Sequence, residues 1–136
     1  MQEVKVLMAE DNAADRFWLE YVLKSLRLNY SFSSVADGEN AVDFLLKRGK
    51  HAMAPTPDLI FLDVNMPKLT GIEVLRQVPH AQDLPICVLT GSEEERDLFQ
   101  QEFNIQDSNY LLKPVTQDSL LGSSCCREHL KPETRP

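Results

Sequence analysis

No apolar run in the 136 residues approaches the roughly 18 needed to span a membrane, and the start of the chain lacks the basic-then-apolar pattern of a secretory signal. Basic residues are the minority: 14 Lys and Arg against 21 Asp and Glu leave a net charge of −7. That balance argues against a domain gripping nucleic acid through a positive face, because phosphate contacts need clustered Lys and Arg. Cysteine is scarce. Cys87 lies in an apolar run, and Cys125 and Cys126 are neighbours, which rarely bridge each other. An odd count so arranged gives no disulfide framework and fits a reducing, cytoplasmic setting. No internal repeat and no second domain are visible, and the length suits one domain. What is present is a hydrophobic fraction of 43%, enough to close a core.

Short apolar runs alternate with longer stretches of helical period. Val4 to Met8 reads as a strand stopped by Glu10-Asp11. Leu19, Val22, Leu23 and Leu26 then mark one stripe of a helix, with Asn12 or Asp11 available to cap it and Asp15 in its first turn. Tyr30 to Val35 is a more polar strand, suited to a sheet edge. Ala41, Phe44 and Leu45 carry a helix ending near Gly49, and Lys50 to Pro57 reads as an exposed loop. Leu59 to Leu62 is apolar throughout, as in a strand buried on both faces, and stops at Asp63. A short helix through Ile72 and Leu75, a strand Pro85–Leu89, an acidic-first helix Glu93–Phe103 and a strand Tyr110–Leu112 follow. The last helix starts at Thr116 or Gln117 and runs into the poor helix formers Gly122, Ser123 and Ser124. This alternation predicts an α/β fold with a parallel sheet.

In such a sheet, ligands bind beyond the carboxyl ends of the strands, where the strand order reverses. Those ends carry Glu10 and Asp11, Asp63, Thr90, and Lys113. In the doubly wound order 2-1-3-4-5 the first and third strands are neighbours, so three carboxylates converge. Two like charges ~5 Å apart at an effective dielectric of ~20 repel by roughly 3 kcal/mol. Lys113 supplies one compensating charge and an oxygen-ligated Mg²⁺ would supply two. An Asp beside a divalent ion, faced by a lysine and a hydroxyl, suits phosphoryl transfer to the carboxylate. An acyl phosphate there would draw Thr90 and the loop behind it inward, so a switch follows from the same electrostatics.

Across about residues 4–121 the chain resembles the receiver domain of two-component response regulators. The matching features are Glu10-Asp11, Asp63 within Phe-Leu-Asp-Val-Asn-Met-Pro (ending at Pro67), Gly71, Thr90-Gly91, and Tyr110-Leu-Leu-Lys113-Pro114. The resemblance implies a flavodoxin-like (βα)5 three-layer sandwich over residues 1–121, with 122–136 forming the end of the last helix and a loose tail. It implies that Asp63 takes a phosphoryl group from a phosphohistidine of a sensor histidine kinase. Mg²⁺, or Mn²⁺ in its place, would be held by Asp11, Asp63 and the main-chain oxygen of Asn65, with Glu10 reaching it through water. Thr90 and Tyr110 would form the switch pair, the Lys113–Pro114 peptide would be cis, and Pro67 and Gly71 would shape the backbone. Dimerisation through the fourth helix, fifth strand and fifth helix is common in the family, and Phe99 and Phe103 are available for it. The long connection from about Gly49 to Pro57 resembles that of stand-alone receivers serving phytochrome-type kinases. After the fold, too few residues follow for a DNA-binding module, so output is expected through protein contact, phosphate relay or self-association rather than enzymatic turnover.

Competing functions fit less well. A haloacid-dehalogenase-like phosphatase needs a second Asp two residues beyond its nucleophile as general acid, and Asn65 stands there. An FMN carrier needs a phosphate-cradling loop after the first strand, where Glu10-Asp11-Asn12 would repel it. A degenerate receiver that never takes phosphate would not need the complete set of Glu10, Asp11, Asp63, Thr90 and Lys113. Lys47, Arg48, Lys50 and His51 either compensate a helix C-terminus or form a docking surface. Trp18 and Met66 are expected to pack or to lie apolar at the surface, and Cys125-Cys126 is expected to be incidental, having no partners at zinc spacing.

Overall fold

Apolar runs and helical stretches follow one another as strand and helix in the order β1 (Val4–Ala9), α1 (Ala13–Ser25), β2 (Tyr30–Val35), α2 (Gly38–Leu46), β3 (Leu59–Asp63), α3 (Gly71–Gln77), β4 (Ile86–Thr90), α4 (Glu93–Glu102), β5 (Tyr110–Leu112), α5 (Gln117–Gly122) and α6 (Ser124–His129). The computed structural model describes residues 3–26 and 28–129. The five strands pair in parallel in the order β2-β1-β3-β4-β5, the flavodoxin-like arrangement. β2, the most polar strand, takes an edge.

Side chains of a strand alternate between the faces of a sheet, and here both faces are covered. Leu7, Ala9, Ile60, Leu62, Ile86 and Val88 pack with Val42 and Phe44 of α2, Val74 and Leu75 of α3, and Phe99 of α4. Their neighbours Val6, Met8, Leu59, Phe61, Cys87 and Leu89 pack with Leu19, Val22 and Leu23 of α1, Leu120 of α5 and Cys126 of α6. The result is three layers, with every strand end that bears a polar residue at one rim. Side-chain oxygens of Asn12, Asp37, Thr70, Ser92 and Thr116 each accept a main-chain N–H in the first turn of a helix, which sets where each helix leaves that rim. Gly71 lets the chain after Asp63 turn back closely. A Cβ there would stand 2.6 Å from the Asp63 carbonyl oxygen.

Several local expectations are corrected. α2 stops at Leu46 because Lys47 adopts a left-handed conformation (φ 56°) that ends the helix. Lys50 to Pro57 is not wholly an exposed loop: Gly49–His51 forms a 3-10 turn, His51 Nε2 lies 2.9 Å from Asn40 Oδ1, and Ala54 packs on the core. α4 has few apolar residues, and the core claims Phe99 and Phe103, so neither is free to face a partner. The exposed apolar residues in that region are Leu98 and Leu112.

The last helix also breaks. Ser123 is extended (ψ 131°), and its hydroxyl accepts the Cys126 N–H at 3.4 Å, capping a new helix, α6. The break turns Cys126 fully inward, with its sulfur 3.0 Å from that of Cys87. Cys126 therefore has a structural part in the core, and neither it nor Cys125 joins a metal-ligating cluster among the described residues. Of residues 122–129, expected as helix end and tail, Gly122 closes α5, Ser123 is the break, and Ser124–His129 form α6. Residues 130–136 of the expected tail lie outside the described residues.

Candidate functional site

Four strand ends and two loops form an open cleft lined by Glu10, Asp11, Asn12, Asp15, Asp63, Asn65, Gly91, Glu95 and Lys113. The β1–β3 pairing sets Ala9 beside Leu62, so the next residues bring Glu10 and Asp63 together. Carboxylate oxygens of Glu10, Asp11 and Asp63 all lie within 4.8 Å of one another. Asp63 and Glu10 are buried and Asp11 is exposed. Lys113 is placed by its main-chain N–H, which donates to the Thr90 carbonyl at 2.9 Å, and its peptide to Pro114 is cis. Its ammonium lies 2.7 Å from Glu10 Oε1 and 3.2 Å from Asp63 Oδ2. The Asn65 N–H approaches Asp63 Oδ1 at 3.4 Å.

One ammonium thus serves two buried carboxylates. Burial, with the Asp63 carboxylate alongside, pushes the Glu10 carboxyl up from 4.5 to about 7, against the opposing pull of Lys113. Burial alone would lower the Lys113 ammonium, but its hydrogen bond to Glu10 and the charges of Asp63 and Glu10 hold it above its ordinary value. An all-oxygen set of three converging carboxylates suits a hard divalent cation, and each must be deprotonated to hold one. Glu10, Asp11 and Asp63 are the carboxylates placed to hold one.

A model of the response regulator receiver domain matches residues 6–123. The chain belongs to the response regulator receiver family. This receiver is 35% identical over 111 residues to response regulator Rcp1 of Synechocystis, covering 79% of this chain and 75% of that protein. It also covers 43% of the length of the transcriptional regulatory protein ResD of Bacillus subtilis, at 35% identity. Among solved structures it resembles the bacteriophytochrome response regulator AtBRR (TM-score 0.80, 26% identity, 100% of this chain and 98% of the other). The Mn²⁺-bound form of Rcp1 superposes with a TM-score of 0.74 at 31% identity, covering 98% and 99%. The phosphorylated cyanobacterial phytochrome response regulator RcpA gives 0.74 at 29%, covering 99% of each chain.

The receiver places the remaining predicted residues with some differences. Thr90 is buried at the end of β4, and Tyr110 is buried at the start of β5, its ring edge-on to Phe99. The Tyr110 hydroxyl has no hydrogen-bond partner among the described residues, and burial raises it to about 12. Three site contacts are not evident from strand ends. Asp15, in the first turn of α1, is the third carboxylate on Lys113, at 3.2 Å, in place of Asp11. Arg16 donates to the Glu10 carbonyl at 2.7 Å. Glu95 reaches into the cleft from α4. The only advance signal for Asp15 and Glu95 is their place in a helix first turn, which the helix dipole explains equally well. Trp18 is half-exposed, and its indole N–H donates to the Val115 carbonyl at 2.7 Å, fastening α1 to the segment after Pro114; Met66 is buried. The basic cluster is partly consumed locally, with Arg48 on Asp43 at 3.3 Å. No described helix is long and apolar enough to cross a membrane.

Proposed function

We propose that this domain accepts a phosphoryl group on Asp63 from the phosphohistidine of a sensor histidine kinase, of the phytochrome type for which its similar proteins are named, and that the aspartyl phosphate switches its contacts with partners. The observation that carries this reading is the position of Asp63. It is a buried carboxylate at the end of the central strand, 3.2 Å from an ammonium and within 4.8 Å of two further acids, at the rim of an open cleft. An Asp63 oxygen forms the new P–O bond while the donor's P–N bond breaks and the imidazole leaves. Lys113 can shift from Asp63 toward a phosphoryl oxygen without leaving Glu10. Thr90, next to Gly91 at the cleft wall, offers its hydroxyl to another. A divalent cation, Mg²⁺ with Mn²⁺ as substitute, held by Asp11, Asp63 and the Asn65 main-chain oxygen with Glu10 behind, would supply positive charge to the phosphoryl oxygens. Tyr110, buried with an unpartnered hydroxyl, has a polar end with reason to move when Thr90 moves. The reaction is self-modification of one side chain and not turnover.

Acetyl phosphate with Mg²⁺ is expected to add the mass of one phosphoryl group, and EDTA or Asp63→Asn to abolish the addition. Label persisting in Asp63→Asn would overturn the assignment. The α4–β5–α5 face is the proposed self-association surface, through Leu98 and Leu112 rather than the buried phenylalanines.

A further inference from the structure

Two helices of this chain, α3 and α5, close their first turn reciprocally, and α4, with the residues to do the same, does not. At α3 the Glu73 carboxylate returns to the N–H of the capping residue Thr70, at 2.9 Å. At α5 the Ser119 hydroxyl does the same for Thr116, also at 2.9 Å. Ser92 and Glu95 hold the equivalent positions at α4, and Ser92 accepts the Glu95 N–H at 3.2 Å. The Glu95 carboxylate, however, passes over Ser92. One oxygen takes the N–H of Gly91 at 2.7 Å, and the other takes the side-chain amide of Asn65 from the loop after β3. Helix capping accounts for neither choice, since the cap N–H is bypassed and Asn65 lies 30 residues away in sequence.

Gly91 and Asn65 both line the cleft that holds Asp63 and Lys113. A main-chain N–H beside a strand end and an amide side chain are donors that an anion in that cleft would use, and bonds to ionised oxygens are the stronger kind. A phosphoryl group of about −2 charge on Asp63 cannot share those donors with a carboxylate. We propose that Glu95 is a resident counter-anion: it occupies the Gly91 and Asn65 donors in the unphosphorylated domain, and a phosphoryl group on Asp63 displaces it. Expulsion of Glu95 frees the first turn of α4 from the β3 loop, so the chemistry at Asp63 is reported directly to that helix. The inference rests on Asp63 being the acceptor.

Glu95→Gln and Glu95→Ala separate this role from capping. Gln keeps a carbonyl oxygen for the Gly91 N–H but carries no charge. With Mg²⁺ saturating, both variants are expected to label with acetyl phosphate, and to bind beryllofluoride, about tenfold or more better than wild type, the scale of one charge-assisted hydrogen bond. Thermal melting should fall in the Ala variant and be restored in the Gln variant. Wild-type labelling rates in both variants would reduce Glu95 to a cap and overturn the proposal. Slower labelling in both would make it an aid to the cation and overturn it too. A wild-type chain that takes no label would sink the acceptor reading and this inference together, whereas labelled wild type with unaltered variants would sink only the role of Glu95.

Discussion

Lys113 invites the sharpest test, because it is held by charges that a divalent ion would also neutralise. Its ammonium sits 2.7 Å from Glu10 and 3.2 Å from Asp63 and Asp15. At an effective dielectric of ~20 the gross attractions are about 6 and 5 kcal/mol for the two buried partners. Most of that is offset by desolvation, and removing one member of a buried pair typically costs ~3–5 kcal/mol because the survivors stay buried. The Lys113 side chain is 23% exposed, so water reaches the site and the lower end applies. For Lys113→Met we expect a loss of about 3 kcal/mol, or on the order of 10 °C in melting temperature for a domain of this size. The assay is thermal unfolding above pH 7, where Glu10 is ionised, first in EDTA and then in saturating Mg²⁺. Most of the loss should vanish with Mg²⁺, and the variant should bind the ion more tightly than wild type, having lost a competing positive charge. An equal loss in both buffers, or none in EDTA, would refute the idea that Lys113 and the cation compensate the same carboxylates.

Glu10 makes ion binding pH-dependent. Its folded value is raised from 4.5 to about 7, so the folded chain holds this proton more tightly than the unfolded one, and metal-free stability should fall as pH rises through that interval. The cation must expel the same proton, so Mg²⁺ affinity should rise by up to about tenfold per pH unit below 7 and then level off. Titration calorimetry showing a flat profile across that interval would refute this. Gly71→Ala drives a Cβ to 2.6 Å from the Asp63 carbonyl, an overpacking that should cost about 1–3 kcal/mol by urea unfolding and weaken Mg²⁺ binding. An unchanged midpoint and affinity would show that the loop gives way freely. Beryllofluoride should shift wild type toward a dimer in size-exclusion chromatography and leave Leu98→Glu/Leu112→Glu monomeric. A wild-type chain that stays monomeric would retire that face.

The strand-end residues were legible in the sequence because each ends an apolar run, and a parallel sheet puts all such ends on one rim. Glu10, Asp11, Asp63, Thr90 and Lys113 needed only the strand order to be brought together. Asp15 and Glu95 were not legible as site residues, since their contacts depend on how α1 and α4 cross the rim, a tertiary angle that periodicity does not carry. Phe99 and Phe103, four apart, suit a buried stripe or an exposed one equally well. The decisive fact is that an acid-rich helix has little else to anchor it. The Gly122-Ser123-Ser124 run signalled a weak helix, yet whether it frays or restarts turned on the Ser123 cap and on room beside Cys87 for one more thiol.

That restart at Ser123 has a practical consequence. With Cys87 and Cys126 sealed in the interior and Cys125 half-buried, a maleimide dye added to the folded protein meets one reachable thiol. Cys125 on α6 is therefore the thiol that a fluorophore or spin label reaches first, slowly because burial raises it above its ordinary value, and a label there reports on the last described helix as Asp63 is modified.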